Sequence, residues 1–177
     1  MDVSVIIVSY NTAAATVECL KSVEAAKGSK KIVVVDNAST DQSAHNIRQL
    51  FPDIQLMVNE RNRGFAAANN QALPLCRGRC IIYLNPDTIV KPDAIGKAVA
   101  FMDRHPNIGL AGAKILNPDG SLQESVSRRY PGEKFTRGET DGLAGNIACV
   151  LGAFMIARKS LLDELHGFDE DFFLYGE

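Results

Sequence analysis

Three hydrophobic runs in the sequence each end in polar side chains of types that bind ligands. Tyr10 and Asn11 end the run "VSVIIVSYN", Asp36 closes "KIVVVD", and Asn85 and Asp87 end "CIIYLNPDT". Carboxylate and amide oxygens accept hydrogen bonds and bind divalent cations. A carboxylate at the mouth of a buried strand needs a partner, because an unpaired buried charge is costly. These positions therefore predict a ligand-binding site.

The elements that must hold these residues follow an alternating pattern. Apolar, β-branched runs alternate with amphipathic segments, which predicts repeated β-α units on a mainly parallel sheet. The predicted strands are residues 3–10, 31–37, 54–60, 80–88 and 108–116, and strand and helix return after a polar loop at 127–142. Asn11 or Thr12 is expected to cap the first helix.

Ligands of such sheets bind outside the carboxyl ends of the strands. If the first strand lies between the second and the fourth, Asp36 and Asp87 are two strand spacings apart, about 10 Å. That distance suits a nucleoside diphosphate, with one carboxylate at the base or ribose and the other near the phosphates. Each aspartate also has a plainer interpretation, as an Asx turn at Asp36 and as a turn or cap residue at Asp87.

The phosphate end of such a ligand needs positive charge. No G-x-G-x-x-G follows the first strand and no P-loop motif occurs in the sequence, so dinucleotide and P-loop sites are excluded. A divalent metal held by Asp87, with Asn85 as a neutral helper, is the best remaining way to meet the diphosphate charge.

Composition limits the class of protein. The 177 residues carry a net charge of -2 and are 46% hydrophobic, which predicts a single soluble domain over residues 1–177 and argues against nucleic-acid binding. The opening "MDVSVIIVSY" lacks a basic region and a long apolar run, so a cytoplasmic location is expected, with attachment to a membrane surface left open. The four cysteines are too dispersed for a zinc ribbon and are expected to be small buried thiols.

The order of the motifs is similar to that of a known family. The series "VSVIIVSYN", "IVVVDNASTD", "NERNRGFAAANNQAL" and "IIYLNPDT" resembles the family 2 inverting glycosyltransferases. Downstream, "NPDGSLQESVSRRYP", "GAFMIARKS" and "GFDEDFFLYGE" resemble the subgroup that contains bacterial rhamnosyltransferases of surface-polysaccharide assembly. The resemblance covers nearly the whole chain.

This resemblance implies a fold and an activity. The fold would be GT-A, a Rossmann-like α/β architecture with a mixed, mostly parallel central sheet flanked by helices. The activity would be transfer of a sugar, with inversion, from a UDP- or dTDP-sugar to a saccharide or lipid-linked acceptor. Such an enzyme would act at the inner face of the plasma membrane, in cell-surface polysaccharide biosynthesis, with Mn²⁺ or Mg²⁺.

The resemblance also assigns roles to residues. Asp87 would bind the metal, although asparagine replaces the first aspartate of the family's D-x-D motif. Glu177 matches the first member of an acidic pair whose second member acts as the general base. We therefore expect the chain to be truncated at its C-terminus, to bind the donor and to transfer sugar slowly; a remnant, or Glu177 itself as the base, are the alternatives. The donor-binding set would be Tyr10, Asn11, Asp36, Asn62, Gly64, Asn69, Asn70 and Asn85.

Two points stay open at this stage. Arg128 and Arg129 are either a surface pair or a contact for the donor diphosphate or an anionic lipid-linked acceptor, since arginine suits phosphate. Two other functions are possible: a sugar-1-phosphate nucleotidyltransferase, and a nucleotide-sugar-binding domain without catalysis. The glycine-rich basic loop of the nucleotidyltransferases is missing from "SYNTAAATVECL".

Overall fold

The structure is a computed structural model that describes residues 1–123, 126–127 and 149–174. In these ranges the strands are β1 (Val3–Ser9), β2 (Lys30–Asp36), β3 (Gln55–Val58), β4 (Cys80–Leu84), β5 (Leu110–Gly112), β6 (Ile115–Leu116), β7 (Leu122–Gln123), β8 (Val126–Ser127), β9 (Cys149–Val150) and β10 (Phe154–Arg158). The helices are α1 (Ala13–Ala25), α2 (Ser43–Leu50), α3 (Gly64–Ala72), α4 (Ala94–Arg104) and α5 (Lys159–Leu165), and a 3₁₀ turn covers Leu73–Leu75.

Six of the strands form one mixed sheet in the order β3-β2-β1-β4-β10-β5. The pairs β1-β2, β1-β4 and β2-β3 are parallel, whereas β10 runs antiparallel to both β4 and β5. The prediction of a mixed, mostly parallel sheet flanked by helices is confirmed. The expected place of β1 between β2 and β4 is confirmed as well, and it brings the carboxyl ends of these three strands to one edge.

Helices cover both faces of the sheet, which explains why its central strands are apolar at nearly every position. Val5 and Ile7 pack with α1, α2 and α4 in one core cluster, while Ile6 packs with α3 and α5 in the other. All three side chains are fully buried. Burial of each contributes roughly 1.5–3 kcal/mol to folding, so the sheet is a stable base for the loops at its edge.

The first three predicted strands differ from the observed ones by one or two residues at their ends, and two others differ by more. β4 ends at Leu84 rather than Thr88, because Pro86 has no N–H to donate and the N–H of Asn85 pairs outside the ladder with the carbonyl of Ala153, at 3.3 Å. The predicted fifth strand divides into β5 and β6. β5 pairs with β10, whereas β6 pairs with β7 across a turn at Gly120, whose φ is 85°.

Three of the cysteines, Cys19, Cys76 and Cys80, are buried and free, as the sequence predicted. The side chain of Cys149 lies outside the described residues. Among the helices that the structure describes, none combines the length and the apolar character needed to cross a membrane.

Candidate active site

The loops that follow β1 and β2 are joined by hydrogen bonds. The backbone N–H of Asn11 donates to Ser39 Oγ at 2.9 Å, and Asn11 Oδ1 accepts from the N–H of Thr40 at 2.8 Å. Asn11 has a φ of 53°, a left-handed conformation that asparagine tolerates better than most residues. Ala13 N–H donates to the Asp41 carboxylate at 3.0 Å, so the second loop caps the helix that follows the first.

Thr12, one of the two predicted residues, does occupy the N-cap position of α1, but the expected capping hydrogen bond from its side chain is missing. Neither Asn11 nor Thr12 caps the helix with its side chain. The Thr12 hydroxyl instead lies 3.1 Å from Ser9 Oγ and 3.0 Å from Thr16 Oγ1, and the latter two lie 2.9 Å apart. Three hydroxyls that each donate once and accept once satisfy one another, which ties the start of α1 to the end of β1.

Asp36 is fully buried at the end of β2. Its Oδ1 accepts a hydrogen bond from the N–H of Ser39, three residues on, at 3.0 Å, so one carboxylate oxygen holds the local turn, although an Asx turn would pair it with the N–H two residues on. Its Oδ2 is buried and has no partner among the described residues. Such an atom costs free energy in the ligand-free protein, and a hydrogen-bond donor of a ligand would satisfy it once the residues that cover it move aside.

Asn37, the next residue, differs from Asp36 because its side chain uses all of its hydrogen-bonding groups within the protein. Its amide nitrogen donates to Asn62 Oδ1 at 2.7 Å and to the carbonyl of Gly64 at 3.1 Å. Its Oδ1 accepts from Asn59 Nδ2 at 2.9 Å and from the N–H of Arg63 at 3.0 Å. Both donors and both lone pairs are used, so Asn37 ties the loop before α3 to the end of β2. Sequence reasoning placed Asn37 at a strand end but gave it no role; its position beside Asp36 was the available signal.

The residues expected to close over the donor lie at the start and along the length of α3. Asn62 Oδ1 also accepts the N–H of Gly64 at 2.9 Å, and Gly64 has a φ of 80° that favours glycine. Asn69 is buried and donates to the carbonyl of Phe65 at 2.9 Å. Asn70 bonds to the segment after α5, which is described below. Contact of these four side chains or backbones with a donor stays a prediction.

The loop after β4 carries the expected metal ligand. Asn85 is half-buried, and its carbonyl accepts from Thr88 N–H at 3.2 Å and from the Cys19 thiol at 3.6 Å. Burial and then the charge of Asp87 raise the pKa of Cys19 to about 12, so the thiol stays protonated beneath the loop. Asp87 itself is exposed in the turn. Asp93, not Asp87, precedes α4, so the helix-cap interpretation of Asp87 was wrong.

The donor set around Asp87 fits a metal that is held partly by its substrate. Among the described residues, no group of three or more His, Cys, Asp or Glu side chains could bind a metal alone. One carboxylate and the Asn85 amide oxygen are hard oxygen ligands of the kind that Mg²⁺ and Mn²⁺ prefer. Mg²⁺ in nucleotide sites is commonly held by one or two carboxylates, substrate phosphates and water, which matches this pair.

The other predicted residues divide between the described and the undescribed parts of the chain. Tyr10 is 46% exposed beside the same edge, where its ring is open to a ligand. Arg128, Arg129 and Glu177 lie outside the described residues. A cavity of about 640 Å³ near Lys30 and Gln55 lies at the opposite edge of the sheet and contains none of the predicted site residues.

Comparison with known proteins decides the family. The model of Glycosyl transferase family 2 matches residues 4–166. The chain belongs to this family. Succinoglycan biosynthesis protein ExoO of Rhizobium meliloti is 32% identical over 116 residues, which are 64% of this chain and 32% of that protein. The N-acetylglucosaminyl-diphospho-decaprenol L-rhamnosyltransferase of Mycobacterium tuberculosis is 24% identical over an alignment of 179 positions, gaps included, which covers 82% of this chain and 57% of the relative.

Solved glycosyltransferases share the fold. The mannosyltransferase PcManGT of Pyrobaculum calidifontis, in complex with GDP-Man and Mn²⁺, matches with a TM-score of 0.71 and 22% identity over 96% of this chain and 48% of that one. S. aureus TarS in complex with UDP matches with a TM-score of 0.70 and 22% identity over 98% of this chain and 52% of that one. The fold is GT-A, as predicted. This family 2 chain thus spans between about a third and three fifths of these relatives.

Proposed function

We propose that this family 2 chain binds a nucleoside-diphosphate sugar at the carboxyl ends of β1, β2 and β4. It would transfer the sugar, with inversion, to a saccharide or lipid-linked acceptor. The single observation that carries the proposal is the buried Asp36 carboxylate, whose Oδ2 has no partner in the described residues. Family membership argues for a transferase and against the nucleotidyltransferase alternative.

Asp36 is suited to hold the nucleoside. Its free oxygen accepts one hydrogen bond, which the N–H of a pyrimidine base or a ribose hydroxyl can donate. Tyr10 offers an aromatic face beside it, and Asn11 holds the loop on which Tyr10 lies. These contacts would orient the donor with its diphosphate towards β4.

Asp87 and Asn85 would hold a divalent metal at the diphosphate. The metal would supply positive charge to the leaving diphosphate, which gains negative charge as the bond to the sugar breaks. The exposure of Asp87 leaves room for substrate phosphates beside its carboxylate. Arg128 or Arg129 would add charge at the same end of the donor.

The transfer step needs a base and a nucleophile. The acceptor oxygen forms a bond to the anomeric carbon on the face opposite the diphosphate, and the bond from that carbon to the phosphate oxygen breaks. The hydroxyl proton passes to a carboxylate, because a sugar hydroxyl is a poor nucleophile at neutral pH. Glu177, or the residue that follows it in the family's acidic pair, would be this base.

The donor and the acceptor are proposed from the relatives. The M. tuberculosis relative is named as a rhamnosyltransferase acting on a decaprenol-linked sugar, and the solved neighbours bind UDP or GDP-Man. A UDP- or dTDP-sugar, rhamnose among them, and a lipid-linked acceptor at the inner face of the plasma membrane are therefore the first candidates. The process would be cell-surface polysaccharide biosynthesis.

Calorimetry and thermal unfolding with UDP, dTDP and GDP, each with and without Mn²⁺, test this proposal. We expect one of them to bind and to raise the melting temperature, with tighter binding in Mn²⁺. Asp87→Ala should remove the Mn²⁺ dependence and leave metal-free affinity unchanged. Asp53→Ala, another exposed aspartate, is the matched control and should behave like the wild type. Absence of binding by all three nucleotides would overturn the proposal.

A further inference from the structure

The residues after α5 fold back onto α3. This acidic segment, residues 167–174, contains three consecutive carboxylates at 169–171. Asn70 of α3 bonds to it in both directions. Asn70 Oδ1 accepts the N–H of Phe168 at 2.9 Å, and Asn70 Nδ2 donates to the carbonyl of Phe168 at 2.9 Å and to Glu170 Oε1 at 3.1 Å.

The backbone geometry around this contact leaves little room for change. A side-chain carbon at Gly167 would lie 2.2 Å from Asn70 Oδ1, and the φ of Gly167 is 87°. A side-chain carbon at Gly64 would lie 2.5 Å from the carbonyl oxygen of Phe173. Two glycines thus allow the acidic segment to approach α3 at both of its ends.

Aromatic packing holds the start of the acidic segment. The ring of Phe168 lies 4.6 Å from the ring of Tyr83 and 5.7 Å from that of Phe65, measured between centroids. Tyr83 is fully buried in β4. The hydrogen bonds from the Asn70 side chain to the backbone of Phe168 therefore fix the position at which the Phe168 ring enters the core.

A chain of hydrogen bonds joins the acidic segment to the proposed nucleotide site. Asn37, next to Asp36, donates to the carbonyl of Gly64 at 3.1 Å. The next residue, Phe65, donates its N–H to the carbonyl of Phe173 at 2.8 Å. The loop before α3 is thus held from one side by the end of β2 and from the other by the acidic segment.

We propose that Asn70 is a positioning residue for the acceptor side of the site, acting through the acidic segment, in place of the donor contact that the family resemblance implies for it. This proposal rests on the proposed function, because the acidic segment leads to the expected acid Glu177. Asn70 holds residues 168–170 against α3. When a nucleotide binds beside Asp36, the loop at Gly64 becomes more ordered and stabilises this contact between Asn70 and the acidic segment. The side-chain amide of Asn70 has its oxygen and nitrogen engaged by the acidic segment, which leaves it little capacity for a donor.

Hydrogen exchange of residues 167–174, measured with UDP titrations in Mn²⁺, tests the proposal. In the wild type we expect UDP to slow exchange in the acidic segment about threefold or more. In Asn70→Ala, exchange should be at least tenfold faster and insensitive to UDP, while the Kd for UDP weakens by no more than the factor, about threefold, by which UDP slows exchange in the wild type. Asn46→Ala, a half-buried asparagine on α2, is the matched control and should exchange like the wild type.

A charge variant makes the test specific to this contact. Asn70→Asp places a carboxylate against Glu170 and should release the acidic segment as Asn70→Ala does. Adding Glu170→Gln supplies an amide that can donate to the new carboxylate, so the double variant should recover at least part of the slow exchange.

The outcomes separate this inference from the proposed function. Unchanged exchange in Asn70→Ala, or a tenfold weaker Kd for UDP in that variant, would overturn the positioning role. Exchange that responds to Asn70→Ala but never to UDP, although UDP binds, would overturn the coupling between the two sites. Failure of the wild type to bind UDP, dTDP or GDP would count against the proposed function. Faster exchange of residues 167–174 in Asn70→Ala would still show whether Asn70 holds the acidic segment against α3.

Discussion

Replacing Asp36 by asparagine should weaken nucleotide binding strongly without loss of stability. The substitution keeps an oxygen for the N–H of Ser39, which lies 3.0 Å from Oδ1. The new NH₂ group replaces Oδ2, which has no partner among the described residues, so the ligand-free protein loses no hydrogen bond. It also loses a buried charge, which favours the variant.

The expected sizes follow from the energetics of hydrogen bonds. A bond to a charged acceptor contributes about 1.5–3 kcal/mol, which weakens the Kd about 10- to 150-fold when it is lost. The gain from removing the buried charge of Asp36 is about 1 kcal/mol or less, because the amide that replaces it is also unpartnered. For a chain of this size that corresponds to a rise in melting temperature of at most about 2–4 °C.

The neighbouring residue supplies the contrast. Asn37→Ala breaks four hydrogen bonds and should cost about 2–4 kcal/mol, a fall of ~5–15 °C in melting temperature. Calorimetric titration with the best nucleotide, together with thermal unfolding of the free proteins, measures both effects. A Kd within twofold of the wild type in Asp36→Asn would refute the nucleoside contact. A large loss of stability in that variant would show that Oδ2 has a structural partner.

Three further predictions concern the same fold. Gly64→Ala, at a φ of 80° and against a backbone oxygen, should lower the free energy of unfolding by about 1–3 kcal/mol in urea titrations. Burial raises the pKa of Cys19 to about 12 and that of Cys76 to about 11, whereas both values are near 9 in the unfolded chain. Above pH 9 the unfolded chain therefore loses protons that the folded protein keeps, and the free energy of unfolding should fall by roughly 1.4 kcal/mol per pH unit for each thiol. Denaturation measured from pH 8 to 10.5 tests this. The Asp41 carboxylate caps α1, so Asp41→Ala should lower the free energy of unfolding by about 0.5–2 kcal/mol at pH 7. Hydrogen bonding with Ser43 lowers the pKa of Asp41, and the effect of the substitution should shrink once acid protonates the wild-type carboxylate. A flat stability profile above pH 9, or an acid-independent effect at Asp41, would contradict the last two.

Much of the fold could be predicted because it depends on local pattern. The apolar runs of β1, β2 and β4 and the polar residues at their ends are visible in the sequence, and the rules for parallel sheets bring those ends together. The placement of Asp36 at the end of β2 followed from the same pattern.

The contacts that join distant segments could not be predicted in this way. The cap of α1 comes from Asp41, 28 positions after Ala13, and no local rule selects it over Thr12. The pairing of Asn70 with Phe168 spans 98 positions. The division of residues 108–116 into two strands depends on which partner each half finds, β10 or β7, and single-sequence pattern does not specify partners.

The bonds between the loops after β1 and β2 have a consequence for the kinetics of recognition. These two loops form the walls of the proposed nucleoside site, and they are already joined before any ligand arrives, by the hydrogen bonds of Asn11 with Ser39 and Thr40. An incoming nucleoside therefore loses little of its binding free energy to ordering these walls. Uncovering the buried Oδ2 of Asp36 is then the main rearrangement that remains and should set the association rate, and substitutions that cut the cross-links should slow association further even where every atom that touches the base is retained.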